Sequence, residues 1–288
     1  MKIGIRNADT RIADIVTIAQ AADAAGIESF WRGEHVLVPR EINSIDPYYA
    51  RALPPGMERF PSLDPITLAA FLAARTERLH FSMGVNLIAL HVPYQLARVL
   101  ATADLVSGGR IMMAVGVGWM REEYDILGID WSTRGGRTDE AMAVLRTLWT
   151  DPHPRFEGKH FSLPPVTFQP KPAQTGGPPL FVAGLSKFAF RRAARHGDGW
   201  YGHDLTLSEA RGAVASIEEE RKRYDRMDKP FEYTTRATSD ISPAEVTAFA
   251  EIGVHRLLLD VGSAATDGID TVLSRIERIS RDLAGIGP

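Results

Sequence analysis

The stretch SGGRIMMAVGVGWMREEYDILG, residues 107–128, holds a complete strand–turn–helix unit and indicates how the rest of the chain is built. Gly108-Gly109 forms a turn, the apolar run 110–116 predicts a buried strand, and a short helix is predicted from Met120. Gly116-Val117-Gly118 lies between the two elements. A glycine loop that enters a helix exposes N–H groups to an anion, so this turn is a candidate binding loop.

The Gly116-Val117-Gly118 segment resembles the start of a dinucleotide-binding loop, but it does not match the full fingerprint. Arg121 occupies the position of the third glycine, and the turn is not the first strand–helix turn of the chain. A Rossmann-type nucleotide loop is therefore not predicted.

The same alternation of strand and helix patterns recurs along the chain, and eight such units can be counted. The predicted strands are residues 2–6, 28–32, 79–86, 110–116, 179–184, 198–202, 232–237 and 255–261. Eight units favour an α/β fold of the (β/α)8 TIM-barrel type, in a single domain over residues 1–288, with an open doubly wound sheet as the alternative. Residues 151–178 hold seven prolines and two pieces of alternating polarity, which predict an excursion with a small hairpin.

The composition excludes several classes of protein. The 288 residues carry a net charge of -3 with no basic block, so nucleic acid is not an expected partner. Cysteine is absent, which excludes disulfides, cysteine metal sites and a cysteine nucleophile. No apolar run approaches the ~20 residues that span a bilayer, and the N-terminus lacks the apolar core of a signal peptide. We therefore expect a cytoplasmic protein without a membrane partner.

In a (β/α)8 barrel the chemistry lies at the carboxyl ends of the strands, and this rule sorts the polar residues. The polar, glycine and aromatic residues that follow predicted strands are Asn7, Asp9, Glu34, His35, Asn86, His91, Gly116, Gly118, Trp119, Gly184, Ser186, His203 and Asp204. A histidine titrates near neutrality and can move protons. His35 stands out among the three histidines of this set because Glu34 adjoins it.

Other short motifs favour a ligand-binding function over a hydrolytic one. Gly184-Leu185-Ser186-Lys187-Phe188 lacks the final glycine of a nucleophile elbow, so Ser186 is interpreted as a helix N-cap and a possible phosphate seat. There is no P-loop, no HExxH motif and no close set of metal ligands, so no metal is predicted. The two glycine-rich strand ends, with Trp119 and Trp200 near them, suggest an aromatic cofactor that carries a phosphate.

Five longer segments, in order along the chain, carry a family resemblance. They are AADAAGIESFWRGEHVLVP (21–39), HVPYQLARVLATADLVSGGRIMMAVGVGWMREEYDILG (91–128), RGGRTDEAMAVLRTLW (134–149), FEGKHFSLPPVTFQPKP (156–172) and PLFVAGLSKFAFRRAARHGDGW (179–200). Together they resemble the luciferase-like monooxygenase superfamily, in its branch of coenzyme F420-dependent oxidoreductases. The Ser-Gly-Gly-Arg and Gly-x-Gly-Trp elements are specific for the superfamily and less specific for F420 over FMN.

The resemblance implies a barrel that binds a deazaflavin or flavin at the strand ends and transfers a hydride at C5 or N5. It implies a cis non-proline peptide within residues 83–86, and His35 as the acid–base residue with Glu34 second. It implies that the cofactor ring or its ribityl chain contacts Asn86, Gly116, Val117, Gly118 and Trp119. It implies that the cofactor phosphate is bound by Ala183, Gly184, Leu185 and Ser186.

The chain also departs from some members of the superfamily. Trp119 stands where some relatives carry a glutamate. This difference puts in doubt both an acidic residue at this position and the sugar-phosphate substrate that those relatives use. The loop 36–61, with Tyr48, Tyr49, Met57 and Phe60, is expected to cover a small-molecule substrate with an apolar part. A homodimer or higher homo-oligomer is expected from the resemblance. An FMN-dependent monooxygenase, a non-catalytic flavin-binding barrel and an unrelated barrel hydrolase or aldolase remain as alternatives.

Overall fold

The computed structural model describes residues 1–44 and 62–283 of the chain. Eight parallel strands close into a barrel in the order β1-β10-β9-β8-β7-β4-β3-β2, which confirms the (β/α)8 fold and excludes the open sheet. The barrel strands are β1 (Lys2–Arg6), β2 (Ser29–Arg32), β3 (His80–Asn86), β4 (Ile111–Val115), β7 (Leu180–Ala183), β8 (Gly199–Gly202), β9 (Glu232–Thr238) and β10 (Arg256–Asp260).

Helices alternate with these strands and surround the barrel. They are α1 (Ile12–Ala24), α2 (Pro65–Ala73), α3 (Pro93–Val106), α4 (Arg121–Ile126), α5 (Arg134–Thr150), α6 (Lys187–His196), α7 (Leu207–Arg223), α8 (Pro243–Glu251), α9 (Ala264–Asp267) and α10 (Ile269–Leu283). Side-chain caps fix several of their starts, as Thr206 and Ser242 do in the capping boxes of α7 and α8. Among the described residues, no helix is both long enough and apolar enough to cross a membrane.

The predicted excursion folds as a two-stranded antiparallel hairpin, β5 (Phe156–Glu157) and β6 (Ser162–Leu163). The carboxylate of Glu140 on α5 accepts hydrogen bonds from the amides of Lys159, His160 and Phe161 in the hairpin turn. The hairpin is therefore attached to α5, and the barrel strand order continues past it from β4 to β7.

The barrel interior is filled by a compact aromatic cluster around Trp31, which is 0% exposed. Its ring lies 5.9 Å from that of Phe181 and 5.4 Å from that of Tyr201, and the Arg256 guanidinium lies 5.8 Å from it on one side. A second and larger apolar core lies between the strands and the helices. The interior is thus a packed core, as in other barrels of this type, and ligands must bind at one of its ends.

Gly84 lies against Trp31 with no space for a side chain. A Cβ at this position would lie 2.5 Å from Cε3 of the Trp31 ring, which is rigid and fully enclosed. We expect Gly84→Ala to lower the free energy of unfolding by about 1–3 kcal/mol through overpacking, measured by urea denaturation. Gly212→Ala is the matched control. Gly212 lies on exposed α7 with nothing within 4 Å, so this change should stabilise the protein by about 0.5–1 kcal/mol. Equal effects of the two changes would contradict the packing argument.

Candidate active site at the carboxyl end of the barrel

The barrel brings the predicted site residues to one end, because all eight strands run in the same direction. The loops after β2, β3, β4 and β7 meet there, on adjacent parts of the barrel wall. The ring of His35 lies 6.1 Å from that of Trp119 in an edge-on arrangement. A Cβ at Gly116 would lie 2.9 Å from Cγ2 of Val85, so the β3 and β4 ends are in close contact.

His35 is held in place by Glu123, a residue on α4 that the sequence patterns did not single out. His35 Nδ1 lies 3.1 Å from Glu123 Oε2, and the Glu123 side chain is only 1% exposed. The other oxygen of Glu123 accepts hydrogen bonds from the amides of Val36 and Leu37. A carboxylate beside Nδ1 favours the tautomer with the proton on that nitrogen and leaves Nε2 for chemistry. The sequence feature that could have indicated Glu123 is its position in the first turn of the helix that follows the glycine loop.

Glu34 points to a different set of partners from those of His35. Its carboxylate accepts a hydrogen bond from the Asn86 side-chain amide at 2.8 Å and one from the Leu87 amide at 3.1 Å. Its Oε1 also lies 2.6 Å from His91 Nε2. With a side chain only 4% exposed, Glu34 joins the end of β2 to the end of β3. The structure therefore gives Glu34 a clear role in holding the strand ends.

The Glu34–His91 pair predicts a pH-dependent stability. Burial alone would lower the pKa of His91, but the hydrogen bond and the charge of Glu34 outweigh it and raise the pKa above the ordinary 6.5. A group whose pKa is raised by folding stabilises the protein at low pH, and this contribution is lost as the pH rises through the folded-state pKa.

We therefore expect the free energy of unfolding of the wild type, relative to His91→Gln, to fall as the pH rises above 6.5. The size should be about 1 kcal/mol, as for other hydrogen bonds to a partly exposed charged group. Urea denaturation of both proteins across this pH range measures it. A difference that grows with rising pH would reverse the sign and contradict the assignment.

Asn86 is fully buried, and its amide nitrogen is used by Glu34. Its side-chain oxygen has no hydrogen-bond partner within the described ranges, 1–44 and 62–283. Val85 precedes it, is partly exposed and packs against the interior cluster of the barrel. The peptide bond between Gly84 and Val85 is cis, within the segment where the sequence resemblance places one.

The loop 116–119 has a fixed backbone. Gly118 has a φ of +74°, a conformation that favours glycine, and a Cβ there would lie 3.2 Å from the Tyr124 ring. The Tyr124 hydroxyl donates to the Val117 carbonyl at 2.7 Å. Val117, Gly118 and Trp119 are partly exposed, whereas Gly116 is buried. The loop thus offers backbone and one indole ring to the barrel mouth.

The turn after β7 presents unpaired amides at the start of α6. Trp200 Nε1 donates to the Gly184 carbonyl at 2.8 Å, and Ser186 Oγ accepts from the Ala189 amide at 3.2 Å. Among the described residues, no protein acceptor is found for the amides of residues 185–188. These groups are exposed at a helix N-terminus, where the peptide dipoles favour an anion.

The other polar residues that follow strands have structural partners. Asp9 accepts from Ser263 and from the amides of Ala264 and Ala265, and so caps α9. Asn7 donates to Asp9 and to the Gly262 carbonyl. Of the loop expected to cover the substrate, residues 36–44 are described, and Tyr48, Tyr49, Met57 and Phe60 lie outside the described residues.

A cavity of about 470 Å³ opens at the opposite, amino-terminal end of the barrel. Its charged side chains are paired within the protein, as Arg256 is with Glu28 and Glu232. The spare hydrogen-bonding groups described above therefore lie at the carboxyl end, which is also where barrel enzymes carry their chemistry.

Comparison with known proteins agrees with this geometry. A protein of uncharacterised function from Mycobacterium tuberculosis is 27% identical over 271 residues, 94% of this chain and 93% of that protein. The FMNH2-dependent dimethylsulfone monooxygenase of Pseudomonas putida is 33% identical over 141 residues, 48% of this chain and 38% of that enzyme. An F420-dependent secondary alcohol dehydrogenase, solved with an F420–acetone adduct, superposes with a TM-score of 0.79 at 17% identity over 100% of this chain and 99% of that one.

The family model of the luciferase-like monooxygenases matches residues 3–262. This range includes every strand of the barrel and all of the candidate site described above. The proteins similar to this chain include both F420-dependent and FMN-dependent oxidoreductases. The chain belongs to the luciferase-like monooxygenase family.

Proposed function

We propose that the protein is an F420-dependent oxidoreductase that transfers a hydride between C5 of the deazaflavin and a small organic substrate. His35 is the proton donor or acceptor in this reaction. The observation that carries the proposal is the His35–Glu123 pair beside the glycine loop, with exposed amides on a neighbouring strand end. This arrangement combines a group that moves protons with a seat for a cofactor phosphate.

The residues present fit a flavin-type cofactor. The amides of residues 185–188, with Ala183, Gly184 and the Ser186 cap, would hold the phosphate. Gly116, Val117, Gly118 and Trp119 would line the ring and the ribityl chain, because glycine lets a flat ring approach the backbone. On the β3 side, partly exposed Val85 offers the nearer surface, and the buried Asn86 would support it from behind through Glu34.

The protein contributes proton transfer and orientation to the reaction. The cofactor would supply the hydride when bound. His35 keeps Nδ1 on Glu123 and directs Nε2 to a substrate oxygen, which it protonates or deprotonates. The buried carboxylate of Glu123 keeps the His35 ring in this orientation while the proton moves. Trp119 at the edge of the His35 ring limits the access of water.

A titration with F420 and FMN side by side, followed by fluorescence, tests the cofactor. We expect F420 to bind with a micromolar or lower dissociation constant and FMN to bind more weakly. Tight FMN binding without measurable F420 binding would favour the second candidate, an FMN-dependent monooxygenase, which the similarity to the Pseudomonas putida enzyme supports. Oxygen consumption that depends on the reduced cofactor would separate the two, since deazaflavins activate oxygen poorly.

The proposed phosphate-binding turn at the start of α6 can be tested by removing one backbone amide hydrogen, that of Lys187. Lys187 is the first residue of α6 and follows Ser186 with a ψ of 154°, a geometry that accepts proline at position 187. Lys187→Pro removes the amide hydrogen and the charge, whereas Lys187→Ala removes the charge alone. We expect F420 to bind Lys187→Pro about tenfold more weakly than Lys187→Ala, because a hydrogen bond to an ion is lost.

The ligand control is 8-hydroxy-5-deazariboflavin, which has the ring and ribityl chain of F420 without the phosphate. It should bind both variants equally in the same fluorescence titration. Equal affinity of F420 for the two variants would contradict a phosphate seat at this turn.

The exposed surface of α3 supports a homo-oligomer as part of the proposal. Val92, Val99 and Val106 are spaced by seven residues and are 50%, 43% and 63% exposed. This spacing places Val99 and Val106 on one face of the helix, and Val92 is its N-cap residue. A second copy of the chain would cover this apolar stripe, and light scattering of the purified protein measures the resulting mass.

A further inference from the structure

A network of charged side chains lines the barrel mouth on the strands that lie across from the glycine loop. Asp260 Oδ2 accepts from Arg6 Nη1 at 3.0 Å and from Arg236 Nη2 at 3.2 Å. Arg236 also contacts His203 Nε2 at 2.7 Å and Asp204 Oδ1 at 3.1 Å. These residues come from β1, β9 and β10 and from the residues directly after β8. None of these charged residues takes part in the proposed binding of the cofactor or in proton transfer by His35.

The strand register shows that the two arginines face the interior of the barrel. A Cβ at Gly4 would lie 2.6 Å from Leu258, a member of the interior cluster, so this face of β1 points inward. Arg6 lies two residues further along the strand and shares that face. Leu258 pairs with Arg236 in the β10–β9 register. Arg6 and Arg236 therefore border the mouth instead of the helix layer.

Arg236 already has a partner at each of its three guanidinium nitrogens, so its Nε–Nη2 edge is in use. Its Nε, Nη1 and Nη2 are occupied by Asp204, His203 and Asp260. Since arginine only donates, His203 Nε2 must accept, and the His203 proton lies on Nδ1, 3.1 Å from Asp204 Oδ2. The tautomer of His203 that carries its proton on Nδ1 is the one that fits both neighbours.

Arg6 differs from Arg236 in having an unused edge. Among the described residues, its guanidinium makes one side-chain contact, from Nη1 to Asp260, and its side chain is 30% exposed. Nε and Nη2 form the edge of a guanidinium that pairs with a carboxylate through two parallel hydrogen bonds. Two arginines face two carboxylates in the network, so a bound anion would meet no excess negative charge.

We propose that Arg6 binds a carboxylate carried by the substrate, through its free Nε–Nη2 edge. Asp260 and Arg236 hold the Arg6 guanidinium so that this edge faces the mouth. The inference rests on the proposed function, since it places the oxidised or reduced carbon of the substrate on the His35 side and its carboxylate on the β1 side. It defines the substrate class as an oxo or hydroxy compound with a carboxylate at the other end.

Binding of a probe pair without any cofactor tests the proposal independently of the redox reaction. The probes are 4-oxopentanoate, which carries a ketone and a carboxylate, and pentan-2-one, which lacks the carboxylate. Calorimetric titrations compare the wild type with Arg6→Met, Arg6→Lys and Arg211→Met. Arg211 is an exposed residue of α7 that does not belong to the charged network, so its change controls for the loss of one positive charge.

We expect Arg6→Met to weaken 4-oxopentanoate binding by about tenfold or more, the size of a lost charge-assisted pair, and to leave pentan-2-one unaffected. Arg6→Lys should retain part of the affinity because it keeps the positive charge. It should lose the rest because lysine cannot donate two parallel hydrogen bonds to one carboxylate. Arg211→Met should match the wild type. Failure of the wild type to bind 4-oxopentanoate, or equal binding by Arg6→Met, would overturn the proposal.

A parallel F420 titration of Arg6→Met gives the remaining outcome. Unchanged F420 affinity agrees with a substrate role for Arg6. A loss of F420 affinity with 4-oxopentanoate binding intact would assign Arg6 to the cofactor and overturn the proposal. Failure of the proposed function itself would appear differently, as absent F420 binding in the wild type.

Discussion

His35→Ala should abolish most of the turnover while leaving cofactor binding intact. Removal of a positioned proton donor or acceptor costs about 10²–10⁴-fold in rate, so we expect a fall in kcat of this size. The measurement is the rate of F420H2 oxidation with the best acceptor from a panel of enones and imines. The F420 dissociation constant should stay within about twofold, because no phosphate or ring contact is assigned to His35.

Two controls separate proton transfer from a loss of structure. Added imidazole can enter the space left by the His35 side chain, and it should restore part of the rate of His35→Ala. Glu123→Gln keeps His35 but weakens its support, and should reduce kcat by about 10–100-fold with little change in KM. Turnover by His35→Ala at the wild-type rate would contradict the role of His35 and favour a barrel that binds a flavin without catalysis.

Glu34→Ala is expected to have the largest effect on stability of any change at the mouth. Its loss leaves the Asn86 side-chain amide and the Leu87 backbone amide buried without an acceptor and removes the partner of His91. Unpaired buried amides and the loss of a half-buried contact to His91 together cost about 2–5 kcal/mol. Urea denaturation should show this as a lower midpoint with an unchanged slope.

Glu34→Gln is the matched control, because it preserves the shape and one acceptor oxygen. We expect it to cost about 1–2 kcal/mol and to retain most of the turnover, since the structure assigns Glu34 to its neighbours. A loss of rate in Glu34→Gln as large as that of His35→Ala, with stability maintained, would instead make Glu34 an acid–base residue.

Much of the fold could be predicted from the local pattern of the sequence. The alternation of short β-rich runs with helical periodicity gave eight units, and all eight strands are present. Proline and alternating polarity marked the excursion at 151–178, which is a hairpin. Such features depend on residues near one another in the chain, so they can be interpreted without knowledge of the tertiary structure.

The contacts within the candidate site could not be predicted in the same way. Glu123 and His35 are separated by 88 residues, and no local pattern links a helix residue to a histidine in the loop after a distant strand. Glu34 is adjacent to His35 in sequence, yet its side chain bonds to His91, which is 57 residues away. Neighbours along an extended chain point in different directions, so sequence adjacency did not reveal their partners.

By itself, the sequence determined a parallel barrel with glycine turns and a histidine at the carboxyl ends of its strands, because strand periodicity and turn residues are local properties. Only the tertiary structure decided which carboxylate supports His35 and which strand ends Glu34 joins. It also decided that, in the part of the chain that is described, Arg6 keeps a free Nε–Nη2 edge while that of Arg236 is in use. The physical reason is closure of the barrel, which brings distant strand ends within hydrogen-bonding distance and buries polar groups, most of which then pair with one another.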